Sequence, residues 1–285
     1  MEQTDFYTAA LQKAAEASRR SIREEAGDYY ENGLLFCGKC RTKKEHVISC
    51  GAFTKPVRCL CECAQKKREE EERERLRQIA AERLLERRRA CFFTPRLCEC
   101  TFSNSDGDTG TAGRAALRYA EAFSSIRGME ALNGLLLYGP VGSGKSYLAA
   151  AVANRLLDDG YRVRMTGFSR LVNELGASFS GRQERLDELN DSDLLIIDDL
   201  AAERETEYMN EVVLQVIDMR ATSKKPLIVT TNLTAEKLKN PETEAKRRVY
   251  SRLLSRCMPV PVNGPDRRRR QLAEHYSDMQ AMLQL

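Results

Sequence analysis

Gly139-Pro140-Val141-Gly142-Ser143-Gly144-Lys145-Ser146 fits the phosphate-loop pattern G-x-x-x-x-G-K-[ST] at every fixed position. Its flanks fit too. Gly134-Leu135-Leu136-Leu137-Tyr138 reads as a short buried strand entering the loop, and residues 146–157 read as an Ala/Leu-rich helix leaving it. Glycines in such a loop let successive backbone N–H groups turn inward around phosphate oxygens, and the helix N-terminus adds the positive end of its dipole. Residues 139–146 are therefore the candidate nucleotide-binding set, with Lys145 reaching the β- and γ-phosphates and the Ser146 hydroxyl ligating Mg²⁺. The implied ligand is a nucleoside triphosphate.

About fifty residues further on, Leu194-Leu195-Ile196-Ile197-Asp198-Asp199-Leu200 has the form of a fully buried parallel strand whose C-terminal end delivers carboxylates to the nucleotide. Asp198 is the candidate for the Mg²⁺ shell and Asp199 for polarising the attacking water. Residues 205–221 form a predicted helix with Met209, Val212, Val213, Val216 and Ile217 inward, and Pro226-Leu227-Ile228-Val229-Thr230-Thr231-Asn232 a further buried strand ending in a polar triplet. Asn232 at that tip can bond the water or the γ-phosphate, or simply cap a turn. Residues 162–165 read as another strand, 168–179 as a helix and 178–190 as a helix or loop facing a partner. Residues 247–254 are an arginine-rich helix, one guanidinium of which can reach a neighbouring subunit's nucleotide. Asp266-Arg267-Arg268-Arg269-Arg270 opens a last helix; four consecutive arginines face different ways, so one or two address nucleotide and the others are free to meet nucleic-acid phosphates.

The chain has 285 residues, room for one sizeable domain and a smaller one. With 31% charged residues and a mean hydropathy of −0.51 it reads as soluble, and the polar residues 1–27 suit neither a signal peptide nor a membrane span. That implies a reducing cytoplasm, where ten cysteines are not disulfides. A net charge of +4 confines any nucleic-acid binding to a local basic face. Nine of the ten cysteines fall in the first 100 residues, which points to metal. Cys37-Gly38-Lys39-Cys40 is one chelating knuckle; two further zinc ligands come from Cys59, Cys61 and Cys63, with His46 or Cys50 as substitutes. Redox chemistry at the first knuckle is disfavoured because no βαβ pattern follows it. Cys91, Cys98 and Cys100 are spaced as plain thiols. Residues 4–30 carry a weak amphipathic helix pattern (Phe6, Ala10, Leu11, Ala14, Ala15), and 64–90 a charged helix with Glu69/Arg73 and Glu71/Arg75 at i,i+4 and a narrow stripe of Leu76, Ile79, Leu84 and Leu85.

Taken in order, Thr101-Phe102, the phosphate loop, Leu194–Leu200, Thr230-Thr231-Asn232 and residues 247–254 resemble the DnaC/DnaI-type helicase loaders and their relatives, the IstB-type transposition helpers, within the AAA+ ATPases. The resemblance covers residues 101–285. It implies an α/β fold with a parallel-sheet P-loop core, helices on both faces and a minimal lid. Asn232 is then similar to the sensor-1 asparagine, Arg252 to the trans-acting arginine finger, and Arg268 is the choice for sensor 2. A cysteine module followed by a charged helix resembles the loaders of Gram-positive bacteria and their phages, whose zinc-bearing N-terminal domain grips the replicative helicase while the ATPase domain binds ATP and single-stranded DNA. The organisation expected is a zinc module over 1–63, a charged helical linker over 64–100 and an AAA+ ATPase domain over 101–285. The expected function is ATP-dependent loading of a replicative DNA helicase, with self-association through the ATP site. A helper ATPase of a transposase is the alternative, and a small-molecule kinase is disfavoured because no substrate lid or acceptor site is visible.

Overall fold

The computed structural model describes residues 2–50, 53–104, 110–176, 181–200 and 206–266, with 276, 279–280 and 282–283 near the end of the chain. Two compact units divide it, Met1–Glu82 and Arg83–Leu285.

The first unit opens with α1 (Glu2–Ser21), which stops well short of residue 30. Tyr29 begins a strand instead: β1 (Tyr29–Glu31) turns back on β2 (Leu34–Phe36) through Asn32 and Gly33, both at positive φ (50° and 77°). This is the two-residue turn that Asn-Gly favours, because its twist matches that of the strands. A second antiparallel hairpin pairs β3 (Glu45–Cys50) with β4 (Phe53–Arg58), and α2 (Glu62–Cys91) follows. Arg58 ties β4 to α1: its N–H donates to Ser18 Oγ (3.2 Å) and its guanidinium to the Ile22 carbonyl (2.9 Å).

The charged helix forms as expected, over Glu62–Cys91, but the apolar stripe is largely unused. Leu76 and Leu85 are exposed, and among that set Leu84 packs into the core of the second unit. Glu71 pairs with Lys67 (3.7 Å) rather than with Arg75, which meets Glu72 (3.9 Å). Such exposed pairs contribute a few tenths of a kcal/mol each, about 0.3. The helix therefore rests on propensity and continuity more than on burial.

The second unit begins inside that helix. Composition changes at residues 63 and 100, whereas packing changes at Glu82: Cys91, Phe92 and Cys100 are buried in the core of the second unit. After a short 3₁₀ turn (Pro95–Glu99) come α3 (Gly110–Glu121) and α4 (Phe123–Ile126). Then the alternation of strand and helix sets in: β5 (Gly134–Tyr138), α5 (Lys145–Asp158), β6 (Val163–Gly167), α6 (Phe168–Gly176), α7 (Arg182–Asp191), β7 (Leu194–Leu200), α8 (Glu207–Thr222), β8 (Leu227–Thr231), α9 (Ala235–Lys239), α10 (Glu244–Arg256) and β9 (Cys257–Pro261). All five strands pair in parallel, in the order β6-β7-β8-β5-β9.

Side chains alternate across the sheet, as the two-residue period requires. Leu135, Leu137, Leu194 and Ile196 face α3 and α5, while Leu136, Leu195 and Ile197 face α6, α7, α8 and α10. Each continuous aliphatic run is thus buried on both faces. The segment around 178–190 resolves as helix where it is described, α7, because Leu186 and Leu189 are buried. Arg220, 1% exposed, donates to the carbonyls of Ser192 (2.9 Å), Asp193 (3.1 Å) and Pro226 (2.6 Å) and fixes the starts of β7 and β8; burial pushes its pKa down to about 10. β5 leads by α5 to one edge of the sheet and β8 leads by α10 to the other, so their C-terminal ends flank a topological switch point, where open α/β sheets bind ligands.

A candidate nucleotide site and a cysteine cluster

At the end of β5 the loop turns on Gly142 and Gly144, at φ 77° and 99°. At the loop's first residue, Gly139 (φ 147°), a Cβ would lie 2.4 Å from the Val262 carbonyl oxygen, so that position needs glycine for space as well as for conformation. The loop is pinned to the neighbouring strand end, where Gly139 N–H donates to the Thr231 carbonyl (3.3 Å). Lys145 is the first residue of α5 and is buried, and its ammonium donates to the carbonyls of Gly139 (2.9 Å) and Pro140 (2.7 Å). Ser143 is 4% exposed and its hydroxyl has no hydrogen-bond partner among the described residues, in a loop whose function is to present donors.

Asp198, buried at the end of β7, has its pKa raised by burial, against hydrogen bonds from Thr230 and Ser146 and the charge of Lys145; the Asp199 charge adds to the rise. Asp199 is exposed at φ 60° and accepts from Asn232 Nδ2 (2.6 Å). The structure therefore brings Lys145, Ser146, Asp198, Asp199 and Asn232 together at the C-terminal edge of the sheet. Its Ser146–Asp198 pair is a set of hard oxygen donors, and it fits Mg²⁺. Arg252 lies elsewhere, on α10. It pairs with Asp218 of α8 (3.5 Å), beside a cleft of about 320 Å³ that Arg247 and Arg248 also line. Arg268 lies outside the described residues.

In the first unit, the thiols of Cys37, Cys40, Cys61 and Cys63 lie within 4.8 Å of one another. Cys63 Sγ is 3.7 Å from Cys37 Sγ and 3.4 Å from Cys61 Sγ, close to the edge of about 3.8 Å that a tetrahedron with Zn–S bonds of about 2.3 Å requires. The chemistry and spacing of this set fit zinc. Cys59 stands outside it, its thiol directed to the Lys43 carbonyl (3.7 Å). His46 pairs with Val57 across the second hairpin, and the side chain of Cys50 lies outside the description. Thr42 joins the two halves: its hydroxyl contacts Cys40 Sγ (3.1 Å) and accepts from Glu62 N–H (3.0 Å). The bond to Thr42 helps pull the Cys40 pKa down to about 5, while the bond to Cys61 pushes Cys63 up to about 12. Four clustered thiols do not all ionise unaided; a cation at their centre is what makes that charge tolerable. Asp28 braces the first knuckle, accepting from Gly38 N–H (3.1 Å) and pairing with Lys44 (2.6 Å).

Two residues escaped the sequence reading. Thr230 bonds both acids of β7: its hydroxyl donates to Asp198 Oδ1 (2.6 Å) and accepts from Asp199 N–H (2.9 Å). Thr231 donates to the Leu200 carbonyl (2.7 Å). The polar triplet Thr230-Thr231-Asn232 at the strand end is the signal that marks them.

A parallel sheet of this order, with a G-x-x-x-x-G-K-S loop after β5, beside the central strand β8, and paired acids on β7, defines a P-loop nucleotide-binding protein of the AAA+ kind. Residues 105–275, more than half of the chain, match the family described as IstB-like ATP binding protein, and the chain belongs to that family. Among curated proteins it is 33% identical to YdaV of Escherichia coli (strain K12) over 177 residues, 61% of this chain and 69% of that one. It is 29% identical to the replicative helicase loader DnaI of Bacillus subtilis (strain 168), over 47% of each chain, and 29% identical to the replicative helicase loader DnaC of Escherichia coli (strain K12), over 49% of this chain and 58% of that one. The chain thus spans about half the length of these curated loaders. Among solved structures, a crystal structure of DnaI superposes with a TM-score of 0.52 at 26% identity, covering 64% of this chain and 98% of that one. The DnaC helicase loader gives 0.50 at 20% identity, covering 60% and 100%, a likeness of fold. No helix among the described residues is long and apolar enough to cross a membrane.

Proposed function

We propose that this protein is an ATPase that loads a replicative DNA helicase onto DNA. The observation that carries this is the convergence of Lys145, Ser146, Asp198, Asp199 and Asn232 in a chain whose relatives include named helicase loaders. Loop N–H groups and Lys145 hold the triphosphate, and Ser146 and Asp198 hold Mg²⁺, which neutralises charge on the phosphoryl oxygens. Asp199 polarises the attacking water and Asn232 keeps that carboxylate oriented. Arg252 leaves Asp218 to complete a neighbouring subunit's site, so ATP occupancy orders an oligomer with a face for single-stranded DNA, and hydrolysis releases it. An ion pair as exposed as Arg252–Asp218 contributes under about 1 kcal/mol, so parting it costs little. The zinc module, residues 1–63 with its cysteine cluster, grips the helicase; residues 64–100 link it to the ATPase domain, 101–285; and Arg268 serves as the sensor-2 contact.

Turnover tests the assembly. ATP hydrolysis per protomer should rise with protein concentration. Lys145→Ala should abolish nucleotide binding, whereas Arg252→Ala should keep binding within about twofold and lose the concentration-dependent turnover, by about 1,000-fold on the scale of arginine fingers. Normal hydrolysis by Arg252→Ala contradicts the intersubunit site.

A further inference from the structure

The ladder between β7 and β8 pairs Ile197 with Val229 and then Leu200 with Thr231. Between those pairs, Asp198 and Asp199 on β7 face a single residue, Thr230, on β8. Two residues opposite one is a β-bulge, a device that re-aims side chains and is uncommon between parallel strands. At this bulge Asp199 takes φ 60°, a conformation that L residues with side chains seldom adopt. Its N–H donates to the Thr230 hydroxyl (2.9 Å), and the same hydroxyl spends its one proton on Asp198 Oδ1 (2.6 Å). The two carboxylates leave the bulge toward different elements, Asp198 to Ser146 on α5 and Asp199 to Asn232 beyond β8. Thr230 is 1% exposed, so no water replaces either bond at low cost.

We propose that Thr230 is the positioning residue of the ATP site, its single hydroxyl holding open the bulge that gives Asp198 to the metal and Asp199 to the attacking water. This rests on the nucleotide reading of the two acids and adds the reason that consecutive residues of one strand take separate roles. It explains the residue type: serine keeps the hydroxyl, valine keeps the shape and loses both bonds, and alanine loses both.

The test compares Thr230→Val, Thr230→Ala and Thr230→Ser in the full-length protein. The readouts are affinity for a fluorescent ATP analogue with EDTA, its affinity across a Mg²⁺ titration, and turnover. Alanine and serine differ by one oxygen, so that pair decides the matter even where valine impairs folding. Thr230→Val and Thr230→Ala should keep metal-free affinity within about twofold, need about tenfold more Mg²⁺ for half-maximal affinity, and lose about 100-fold in turnover, on the scale of bonds to a charged group. Thr230→Ser should restore both to within about threefold. Wild-type Mg²⁺ dependence and turnover in the alanine variant, or equal impairment in alanine and serine, overturns the proposal. A wild-type protein that binds no ATP analogue at all, with or without Mg²⁺, sinks the underlying nucleotide reading instead.

Discussion

The two units of this chain are held together by different physics. In the second, a five-stranded sheet is covered on both faces, and Leu135, Leu136 and Leu137 are 5% exposed or less although consecutive. In the first, Tyr29, Tyr30, Val47 and Ile48 face outward, and the buried residues include Leu35, Cys37, Cys61 and the Lys44–Asp28 pair. Among the described side chains, one interior is hydrocarbon and the other holds sulfur and charge beside Ala15 and Leu35. A unit of the first kind folds before any ligand arrives. On the zinc reading of the cysteine cluster, a unit of the second kind gains its stability from the ion, which makes its fold conditional.

The largest expected effect breaks the comparison outright. Metal removal by a strong chelator, or Cys61→Ser, should unfold the first unit, since a four-thiolate zinc contributes on the order of 10 kcal/mol. Limited proteolysis should show cleavage within residues 1–82, while ATP-analogue affinity stays within about twofold of wild type. Loss of nucleotide binding on zinc removal would contradict the separation. The reverse case is a core truncation in the sheet: Leu136→Ala, fully buried, should cost about 2–5 kcal/mol. It should lower the thermal transition of the second unit and leave a zinc content of one per chain unchanged.

A smaller effect sharpens the account of the first unit. Lys44 and Asp28 side chains are 4% and 2% exposed, so Lys44→Met leaves a carboxylate unpaired in the interior, a loss of about 3 kcal/mol that should appear as weaker zinc retention against a competing chelator. Burial pushes the Asp28 carboxyl up, but its bonds from Lys44, Glu25 and Gly38 win and hold it below the ordinary range; burial likewise pushes the Lys44 ammonium down, but Asp28 outweighs it and raises Lys44 above its ordinary value. The lowered carboxyl contributes stability above its unfolded pKa of about 3.9, lost as pH falls through the depressed value. The raised ammonium contributes below about 10.4, lost as pH rises through the raised value. The pair should therefore be intact across neutral pH.

Residues whose structure depends on near neighbours were legible. The aliphatic runs of β5, β7 and β8 announced strands buried on both faces, and the glycines and lysine of the loop announced its ligand. Distant pairing was not. The spacing of Cys59, Cys61 and Cys63 left the ligand choice open, because only the turn joined by Thr42 shows which thiols converge. The bulge at Asp198–Asp199 has no local signature; it exists because Thr230, thirty-two residues after Asp198, supplies the bond that the ladder withdraws. The Asn32-Gly33 turn carries its signal in its own chemistry, just past the 4–30 stretch read as a weak helix and before the Cys37 knuckle.

The central claim is that the zinc-held unit grips a replicative helicase while the sheet unit spends ATP. Native mass spectrometry of the full chain mixed with its host's replicative helicase, with and without ATP, tests it most directly. The account predicts a loader–helicase complex of defined stoichiometry with wild-type protein, lost with Cys61→Ser although that variant still binds ATP. No complex under either condition would contradict it, and a complex with a transposase in its place would identify the protein as the helper ATPase of a transposition system.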